Sequence, residues 1–246
     1  MKLSIVVPSY NETIKVKKEA VDAIKDYLKE KDFGFDVLII DDKSTNNTLD
    51  DLKKYIKDKS GFEILENSHG GKAITVMSGM LKAKGEVALF TDMDQATPID
   101  ELDKLLPKFK EGFDIVIGSR KGRKGAPPLR KLTAWGFAFL RNIFLGLPYH
   151  DTQCGFKAFT NEAINSVFPD LLKEWQKREE SGAAVNAGFD IETLYLSKKK
   201  GLKIAEVEVN WHHVENVKQI RPLKEAIDAI KDMIRIRLNH WQGKYK

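Results

Sequence analysis

The chain has 246 residues, of which 42% are hydrophobic and 31% charged, and 41 Lys and Arg against 36 Asp and Glu give a net charge of +5. This composition excludes a disordered chain, and no segment reaches the roughly 18 uninterrupted apolar residues of a membrane-spanning helix. Its single cysteine, Cys154, has no disulfide partner within the chain, and the N-terminal apolar run is too short for a signal peptide. We therefore expect a cytoplasmic globular protein.

Buried strand-like runs alternate with amphipathic segments through the first half of the chain. The predicted strands are Leu3–Pro8, Val37–Ile40, Phe62–Leu65, Val87–Thr91 and Ile115–Gly118, and the predicted helices are Ile14–Lys31, Thr48–Lys59, Lys72–Lys84 and Ile99–Lys110. This alternation predicts an α/β fold with a mostly parallel central sheet and helices on both faces. Ligands of such sheets bind at the carboxyl ends of the strands, so the residues that follow each strand are the first site candidates.

The second half of the chain is less regular. We predict a loop over Gly122–Pro128, an aromatic helix over Leu132–Leu147 broken by Gly136 and Gly146, helices over Asn161–Glu180 and Asp190–Lys200, a strand over Leu202–Val209 and a final helix over Pro222–Trp241. These elements predict one catalytic domain over residues 1–210, followed by an amphipathic helical extension over residues 211–246.

Basic residues are concentrated in one stretch. Between Asp114 and Asp151 there is no acidic residue, but there are seven basic ones: Arg120, Lys121, Arg123, Lys124, Arg130, Lys131 and Arg141. A stretch of one charge sign attracts phosphates, anionic lipid or nucleic acid, whereas a merely solvated face usually mixes both signs.

Polar clusters follow the first four predicted strands. They are Pro8-Ser9-Tyr10-Asn11-Glu12, Asp41-Asp42-Lys43-Ser44, Asn67-Ser68-His69-Gly70-Gly71-Lys72 and Thr91-Asp92-Met93-Asp94-Gln95. Glycines and a lysine at a helix start can hold a phosphate through backbone N–H groups. Asp92 and Asp94 repel each other unless a cation lies between them, and such oxygen ligands favour Mg²⁺ or Mn²⁺ over zinc. A capped loop would also explain Asp94, but it would not explain four clusters at one sheet edge.

Together these residues resemble the family 2 inverting glycosyltransferases with the GT-A nucleotide-diphospho-sugar transferase fold. The match rests on Pro8, Asn11, Glu12, Asp41-Asp42-x-Ser44, Gly71-Lys72 and Asp92-Met93-Asp94. Later segments are similar to the polyprenyl-phosphate branch, and most of all to its dolichyl-phosphate beta-glucosyltransferases: Ile117-Gly118-Ser119-Arg120, Arg130-Lys131, Asp151-Thr152-Gln153-Cys154-Gly155-Phe156-Lys157, Phe189-Asp190-Ile191-Glu192 and Val209-Asn210-Trp211. The chain departs from the pattern at Asn47, Met93 and Gln95, and Gln95 is therefore not assigned as a metal ligand.

The resemblance implies an enzyme of N-glycosylation that moves glucose from UDP-glucose to dolichyl or polyprenyl phosphate with Mg²⁺ or Mn²⁺. It implies that the nucleotide-sugar is bound by Pro8, Tyr10, Asn11, Glu12, Asp41, Asp42, Lys72, Asp92 and Gln153. The metal would be held by Asp92 and Asp94, and the acceptor phosphate by Ser119, Arg120, Arg130 and Lys131. The catalytic candidates are Asp92, Asp94, Asp151 and Asp190, of which the last two would also line the sugar pocket.

The acceptor chemistry gives the basic stretch a purpose. A phosphate monoester has a second pKa of about 6 and is already largely anionic near pH 7, so it needs no general base. The enzyme must instead hold two negatively charged reactants together, which requires positive charge. With a hydroxyl acceptor, Asp151 or Asp190 would be the candidate base.

A polyprenyl acceptor lies in a membrane, so we expect a peripheral enzyme on its cytoplasmic face. The final helix has an apolar stripe that includes Ile227, Ile230, Ile234, Leu238 and Trp241, with basic residues beside it. Such a helix can lie in the bilayer interface. Packing on the sheet, or pairing in a homodimer, explains the stripe equally well.

Other functions remain open at this point. The donor could instead be GDP-mannose, as in the mannosyltransferases of the same branch, or the acceptor could be a saccharide or lipid hydroxyl. A nucleotidyltransferase would have an early Gly-rich Arg-Lys signature, and a dehydrogenase a Gly-x-Gly-x-x-Gly after the first strand; both are absent. A basic nucleic-acid-binding module would not explain paired aspartates, which repel a phosphate backbone, so no nucleic acid partner is expected.

Overall fold

The structure is a computed structural model that describes residues 2–120, 128–177, 188–212 and 222–245, except for the side chains of residues 128–135 and 222–227. Its strands are β1 (Lys2–Ser9), β2 (Gly34–Asp41), β3 (Phe62–Glu66), β4 (Val87–Thr91), β5 (Ile115–Ser119), β6 (Phe156–Thr160) and β7 (Ile204–Glu208). Its helices are α1 (Ile14–Lys29), α2 (Thr48–Ile56), α3 (Gly71–Lys82), α4 (Leu102–Lys110), α5 (Pro128–Leu145), α6 (Asn161–Gln176), α7 (Gly188–Lys199) and α8 (Pro222–Trp241).

The strands form a single sheet in the order β3-β2-β1-β4-β6-β5-β7. All paired strands are parallel except β6, which runs antiparallel to both β4 and β5. Alternate residues of a strand point to opposite faces of a sheet. In β1, Ile5 accordingly packs on one face with Ile24 of α1, whereas Val6 packs on the other with Met77 of α3. The prediction of a mostly parallel sheet with helices on both faces is confirmed.

The sheet register brings the predicted polar clusters to one edge. Ser9 at the end of β1 lies beside Asp41 at the end of β2. The end of β4 meets the beginning of the antiparallel strand β6, where Thr91 pairs with Phe156. The segment that leads into β6 therefore arrives beside the turn that follows β4.

Strand β6 was not predicted from the sequence. Its second residue, Lys157, is fully buried, and lysine is almost never buried unless a partner compensates its charge. The aromatic and threonine residues of Phe-Lys-Ala-Phe-Thr favour a strand, but the lysine conceals that signal.

The predicted break at Gly136 is wrong, since α5 continues through it. A Cβ at Gly136 would contact nothing within 4 Å, so glycine there costs helix propensity alone, about 1 kcal/mol. The break at Gly146 is confirmed, because this residue follows the helix with a φ of 65°, the left-handed conformation typical of a helix C-terminus. The predicted loop over Gly122–Pro128 and the end of the predicted helix over Asn161–Glu180 lie mostly outside the described residues.

Helix α8 contacts both α5 and α7. Its residues Met233 and Ile236 are buried in the same core cluster as α3, α6 and α7. The C-terminal helix thus shares a core with the preceding fold, and the boundary at residue 210 stays a prediction. None of the helices in the described ranges is long and apolar enough to cross a membrane.

Candidate active site

The two aspartates after β2 build the edge of the sheet on which they lie. The backbone N–H and hydroxyl of Ser44 donate to Asp41 at 2.9 and 2.6 Å, which closes the turn. The carboxylate of Asp42 accepts from the N–H groups of Gly70 and Gly71 at 3.0 and 2.9 Å. Asp42 therefore caps α3, where a negative charge also complements the helix dipole. Both aspartates are buried.

Asn11, which comes two residues after β1, ties two loops of the edge together. It adopts a φ of 53°, a left-handed conformation that Asn tolerates better than most residues. Its N–H donates to Ser44 Oγ at 3.0 Å, and its side-chain oxygen accepts from the Thr45 N–H at 2.8 Å. Like the two aspartates after β2, Asn11 shapes the edge through contacts with the protein itself.

An aromatic pair lies next to these loops. The rings of Tyr10 and His69 have centroids 5.0 Å apart with planes inclined by 33°. His69 Nδ1 lies 3.1 Å from Asp42 Oδ2, so the buried aspartate also orients the imidazole. Pro8, the last residue but one of β1, is partly exposed. The pair is a flat surface of the kind on which a planar ring can stack.

The Asp-x-Asp turn after β4 is held by a lysine. Lys72 Nζ in the first turn of α3 lies 2.5 Å from Asp92 Oδ1. Burial opposes the ammonium charge, but Asp92, Asp190 and Asp94 outweigh it and raise the pKa of Lys72. Asp94 accepts the Ala96 N–H at 3.0 Å.

The carboxylates of Glu12, Asp92 and Asp94 lie close enough at this turn for their charges to interact. Burial raises the pKa of Glu12, and the charges of Asp94 and Asp92 raise it further. Burial also raises the pKa of Asp94, with a further contribution from Asp92. In the described part of the chain, no three His, Cys, Asp or Glu side chains converge as a ready metal cage. The Asp-x-Asp turn is instead an open set of oxygen donors whose mutual repulsion a cation would relieve.

Gly155 is a functional residue to which sequence reasoning assigned no role. A Cβ built on Gly155 would lie 2.1 Å from Asp92 Oδ2 and 2.7 Å from Asp92 Cγ. A larger residue at this position would displace the Asp92 carboxylate, because the segment before β6 passes directly against it. The sequence feature that could have indicated such a role is the position of Gly155 inside the motif over residues 151–157.

Arg120 and Asp151 form a two-point ion pair. Arg120 Nε lies 2.5 Å from Asp151 Oδ2, and Nη2 lies 2.9 Å from Oδ1. Burial raises the pKa of Asp151, but the hydrogen bonds and charge of Arg120 prevail and lower it to about 2. The Gln153 N–H donates to Asp151 Oδ1 at 3.1 Å, and the ring centroid of Trp211 lies 5.9 Å from Arg120 Cζ. Asp151, the candidate base, and Arg120, the candidate phosphate ligand, are thus bound to each other.

A second ion pair joins β6 to α7. Lys157 Nζ lies 2.5 Å from Asp190 Oδ1 and also donates to the Cys154 carbonyl. The Lys157 side chain is 1% exposed and that of Asp190 16%. The sequence motif contains Lys157, but sequence reasoning gave it no role.

Three predicted acceptor-binding residues remain, together with Gln95. Ser119 lies buried at the end of β5, and among the described residues its hydroxyl has no hydrogen-bond partner. The side chains of Arg130 and Lys131, predicted to bind the acceptor phosphate, lie outside the described residues. Gln95 donates to the Asp92 carbonyl at 2.9 Å, and so stabilises the turn itself.

This fold, with its acidic turn after β4, defines a GT-A glycosyltransferase architecture. Solved structures of similar fold include glucosyl-3-phosphoglycerate synthase from Mycobacterium tuberculosis in complex with Mn²⁺, UDP and glucosyl-3-phosphoglycerate, with a TM-score of 0.62, 17% identity, and coverage of 97% of this chain and 79% of that one. Another is mannosyl-3-phosphoglycerate synthase from Rubrobacter xylanophilus, with a TM-score of 0.61, 17% identity, and coverage of 99% and 75%. At these identities the likeness establishes the fold alone.

The family is established by sequence. The pattern described as Glycosyl transferase family 2 matches residues 4–168, and the chain belongs to that family. The dolichyl-phosphate beta-glucosyltransferase of Dictyostelium discoideum is 33% identical over 263 residues, which cover 99% of this chain and 76% of that protein. The enzyme of the same name from Saccharomyces cerevisiae is 32% identical over 270 residues, with coverage of 99% and 76%.

Proposed function

We propose that this protein transfers glucose from UDP-glucose to dolichyl phosphate or another polyprenyl phosphate, with inversion at the sugar carbon. The observation that carries the proposal is the match along 99% of the chain to relatives named for that activity. The acidic turn at the sheet edge agrees with it, because a divalent cation held there would offset the negative charge of the diphosphate.

The acidic turn fits a divalent metal, Mg²⁺ or Mn²⁺, held by Asp92 and Asp94. The fit rests on the donor set of carboxylate oxygens, which includes Asp94 with a raised pKa and Glu12, whose pKa is also raised. When bound, such a cation offsets the charge that develops on the departing diphosphate. Lys72, already at Asp92, adds a second positive charge at the start of α3, where phosphate groups are favoured. Similar folds solved with UDP and Mn²⁺ or Mg²⁺ support this assignment.

The nucleotide end of the donor would lie over the ends of β1 and β2. Tyr10 and His69 offer a stacking surface for a planar base. Since Asp41, Asp42 and Asn11 already bind protein groups, we expect them to act mainly by fixing the loops that Pro8 and Glu12 border. Gln153 and Asp190 would contact the sugar.

A phosphate acceptor suits the site better than a hydroxyl acceptor. A hydroxyl needs a carboxylate base, and Asp151 has a pKa of about 2 because Arg120 engages both of its oxygens. Asp190 is likewise paired, with Lys157. A phosphate monoester needs no such base. Ser119, Arg120, Arg130 and Lys131 would bind its phosphate, with Arg120 already oriented by Asp151.

We expect the exposed apolar side chains of α5 and α8 to contact the membrane that contains the lipid part of the acceptor. All but one of the large apolar side chains exposed among the described residues lie on these two contacting helices: Phe139, Leu140, Ile143, Phe144, Ile230, Ile234, Leu238 and Trp241. An exposed apolar surface of this kind marks an interaction site, and basic side chains on α8 suit an anionic bilayer. The protein would then be peripheral on the cytoplasmic face of a membrane, and a homodimer through this face is the competing occupant.

The test of the reaction is transfer of label from UDP-glucose or GDP-mannose, in parallel, to polyprenyl phosphate with Mg²⁺ or Mn²⁺. We expect label in the organic phase from UDP-glucose alone. Transfer from GDP-mannose alone would reassign the donor, and no transfer to polyprenyl phosphate would refute the proposed acceptor.

The test of the surface uses two exposed isoleucines as a matched pair. Ile234 of α8 is 47% exposed and Ile14 of α1 is 46% exposed. We expect Ile234→Ser to weaken sedimentation with phosphatidylserine vesicles and Ile14→Ser to leave it unchanged. Equal binding by both variants would exclude α8 from the contact, and a concentration-dependent dimer that Ile234→Ser dissolves would favour self-association.

A further inference from the structure

Lys157 is buried near the beginning of β6, the strand between β4 and β5. In the antiparallel pairing of β6 it lies opposite Phe90 of β4 and Ile117 of β5. Phe90 is two residues before Asp92, and Ile117 is two residues before Ser119. Lys157 therefore lies between the strand that leads to the proposed donor side and the strand that leads to the proposed acceptor side.

The ammonium group of Lys157 is buried but fully engaged. It contacts Asp190 Oδ1 at 2.5 Å, donates to the Cys154 carbonyl, and lies 5.3 Å from the ring centroid of Phe90. A buried charge persists only when such partners replace its lost hydration. Lys157 thus joins three separate segments: strand β6, the segment before it and the first turn of α7.

Both groups that Lys157 holds act on the site. The Cys154 carbonyl is adjacent to Gly155, whose backbone lies against the Asp92 carboxylate. Asp190, a candidate for the sugar pocket, is tied by Lys157 to strand β6, whose first residue Phe156 pairs with Thr91, the residue before Asp92. Among the described residues, Lys157 provides the hydrogen bond to the Asp190 carboxylate.

We infer that Lys157 is a positioning residue for glycosyl transfer, which fixes Asp190 and, through Cys154 and Gly155, the place of Asp92. It touches neither reactant and acts through these two carboxylates. This inference rests on the proposed function, since it assigns Lys157 a part in that reaction.

The experiment is a double-mutant cycle on glucose transfer with Lys157→Met, Asp190→Asn and the double variant. We expect Lys157→Met to lower kcat about 100-fold, the loss typical of a misplaced reacting group, with KM for UDP-glucose changed less than about threefold. In the Asp190→Asn background, the same substitution should lower kcat by at least about threefold less than it does in the wild type, because one of the two carboxylates through which it acts is already changed. Losses that multiply, or a kcat for Lys157→Met within about twofold of the wild type, would overturn the inference.

The matched control is Lys200→Met. Lys200 pairs with Asp170 at 2.8 Å at the far end of α7, so this variant removes a lysine–aspartate pair outside the site. It should keep wild-type kcat. If Lys157→Met does not fold, Lys157→Arg replaces it in the cycle, with a smaller kcat loss that must likewise shrink in the Asp190→Asn background.

A readout without turnover separates this inference from the proposed function. Cys154 is the single cysteine and is 1% exposed. We expect a thiol reagent to label it at least about tenfold faster in folded Lys157→Met than in the wild type or Lys200→Met, because its segment is released. If the wild type transfers no glucose, the proposed function fails while labelling still tests the contact. Unchanged labelling would overturn the positioning of Cys154.

Discussion

Gly155→Ala should disable the site while the fold stays intact. The added Cβ would lie 2.1 Å from Asp92 Oδ2, whereas real Cβ contacts essentially never fall below 3.0 Å. The carboxylate or the Gly155 backbone must therefore move by about 1 Å, and Asp92 is also held on its other oxygen by Lys72 at 2.5 Å. A displacement of about 1 Å at a reacting group can cost about 100-fold in rate, or about 2.7 kcal/mol of transition-state stabilisation.

The assay is transfer from UDP-glucose to polyprenyl phosphate, together with thermal unfolding. We expect kcat/KM to fall about 100-fold and the unfolding midpoint to change by only a few degrees, since the segment lies at the edge of the core. Gly34→Ala is the control: a Cβ there meets only Lys2 Cγ, at 3.9 Å, and Gly34 begins β2 at the opposite end of the sheet. A Gly155→Ala enzyme with wild-type kcat/KM would refute the claim that Asp92 needs this close approach.

Three further outcomes are expected. Asp94→Asn should abolish transfer without lowering the unfolding midpoint, because the raised pKa of Asp94 means that its charge is unfavourable in the fold; retained turnover would remove Asp94 from the metal site. The Asp151 pKa of about 2, against an ordinary 3.8, should add about 2 kcal/mol of stability that is present above about pH 4 and lost as the pH falls towards 2. Urea unfolding from pH 5 to pH 2.5 should therefore show a shrinking gap between the wild type and Asp151→Asn, and a constant gap would contradict the ion-pair origin. Arg130→Ala should raise KM for polyprenyl phosphate more than KM for UDP-glucose, and equal increases would deny it a special part in acceptor binding.

The elements that could be predicted are those whose residues follow a simple periodicity. Strands β1, β2 and β4 are continuous apolar runs, because they are buried on both faces, and their ends place Asp41, Asp42 and Asp92 at one edge without further information. The antiparallel β6 could not be predicted in this way. Its buried Lys157 is compensated by Asp190, which is 33 residues away in sequence, and periodicity carries no information on such a pair.

The same distinction applies to the site. Residue types predicted which side chains would gather, but not which of them would bind one another. Arg120 and Asp151 were predicted to hold different parts of the substrates, yet they form one ion pair across 31 residues of sequence. Gly155 shows a second limit, because the need for glycine there arises from the position of Asp92, on another segment. Such requirements arise only when segments that are distant in sequence come together at this edge of the sheet.

The ion pairs of the site also indicate where negative charge stays uncompensated. Asp92, Asp151 and Asp190 each have a basic partner, respectively Lys72, Arg120 and Lys157. Within the described residues, Glu12 and Asp94 have no cation within ion-pair distance, and each has a raised pKa. The unbalanced negative charge therefore lies beside the C-terminal end of β4. A diphosphate bound at this turn would also be next to the start of α3. A divalent cation there would balance this charge, whereas the same ion at Asp151 or Asp190 would have to compete with a buried arginine or lysine. This distribution of charge is a physical reason, independent of any resemblance, to propose Asp94, in the Asp-x-Asp turn, as a metal ligand.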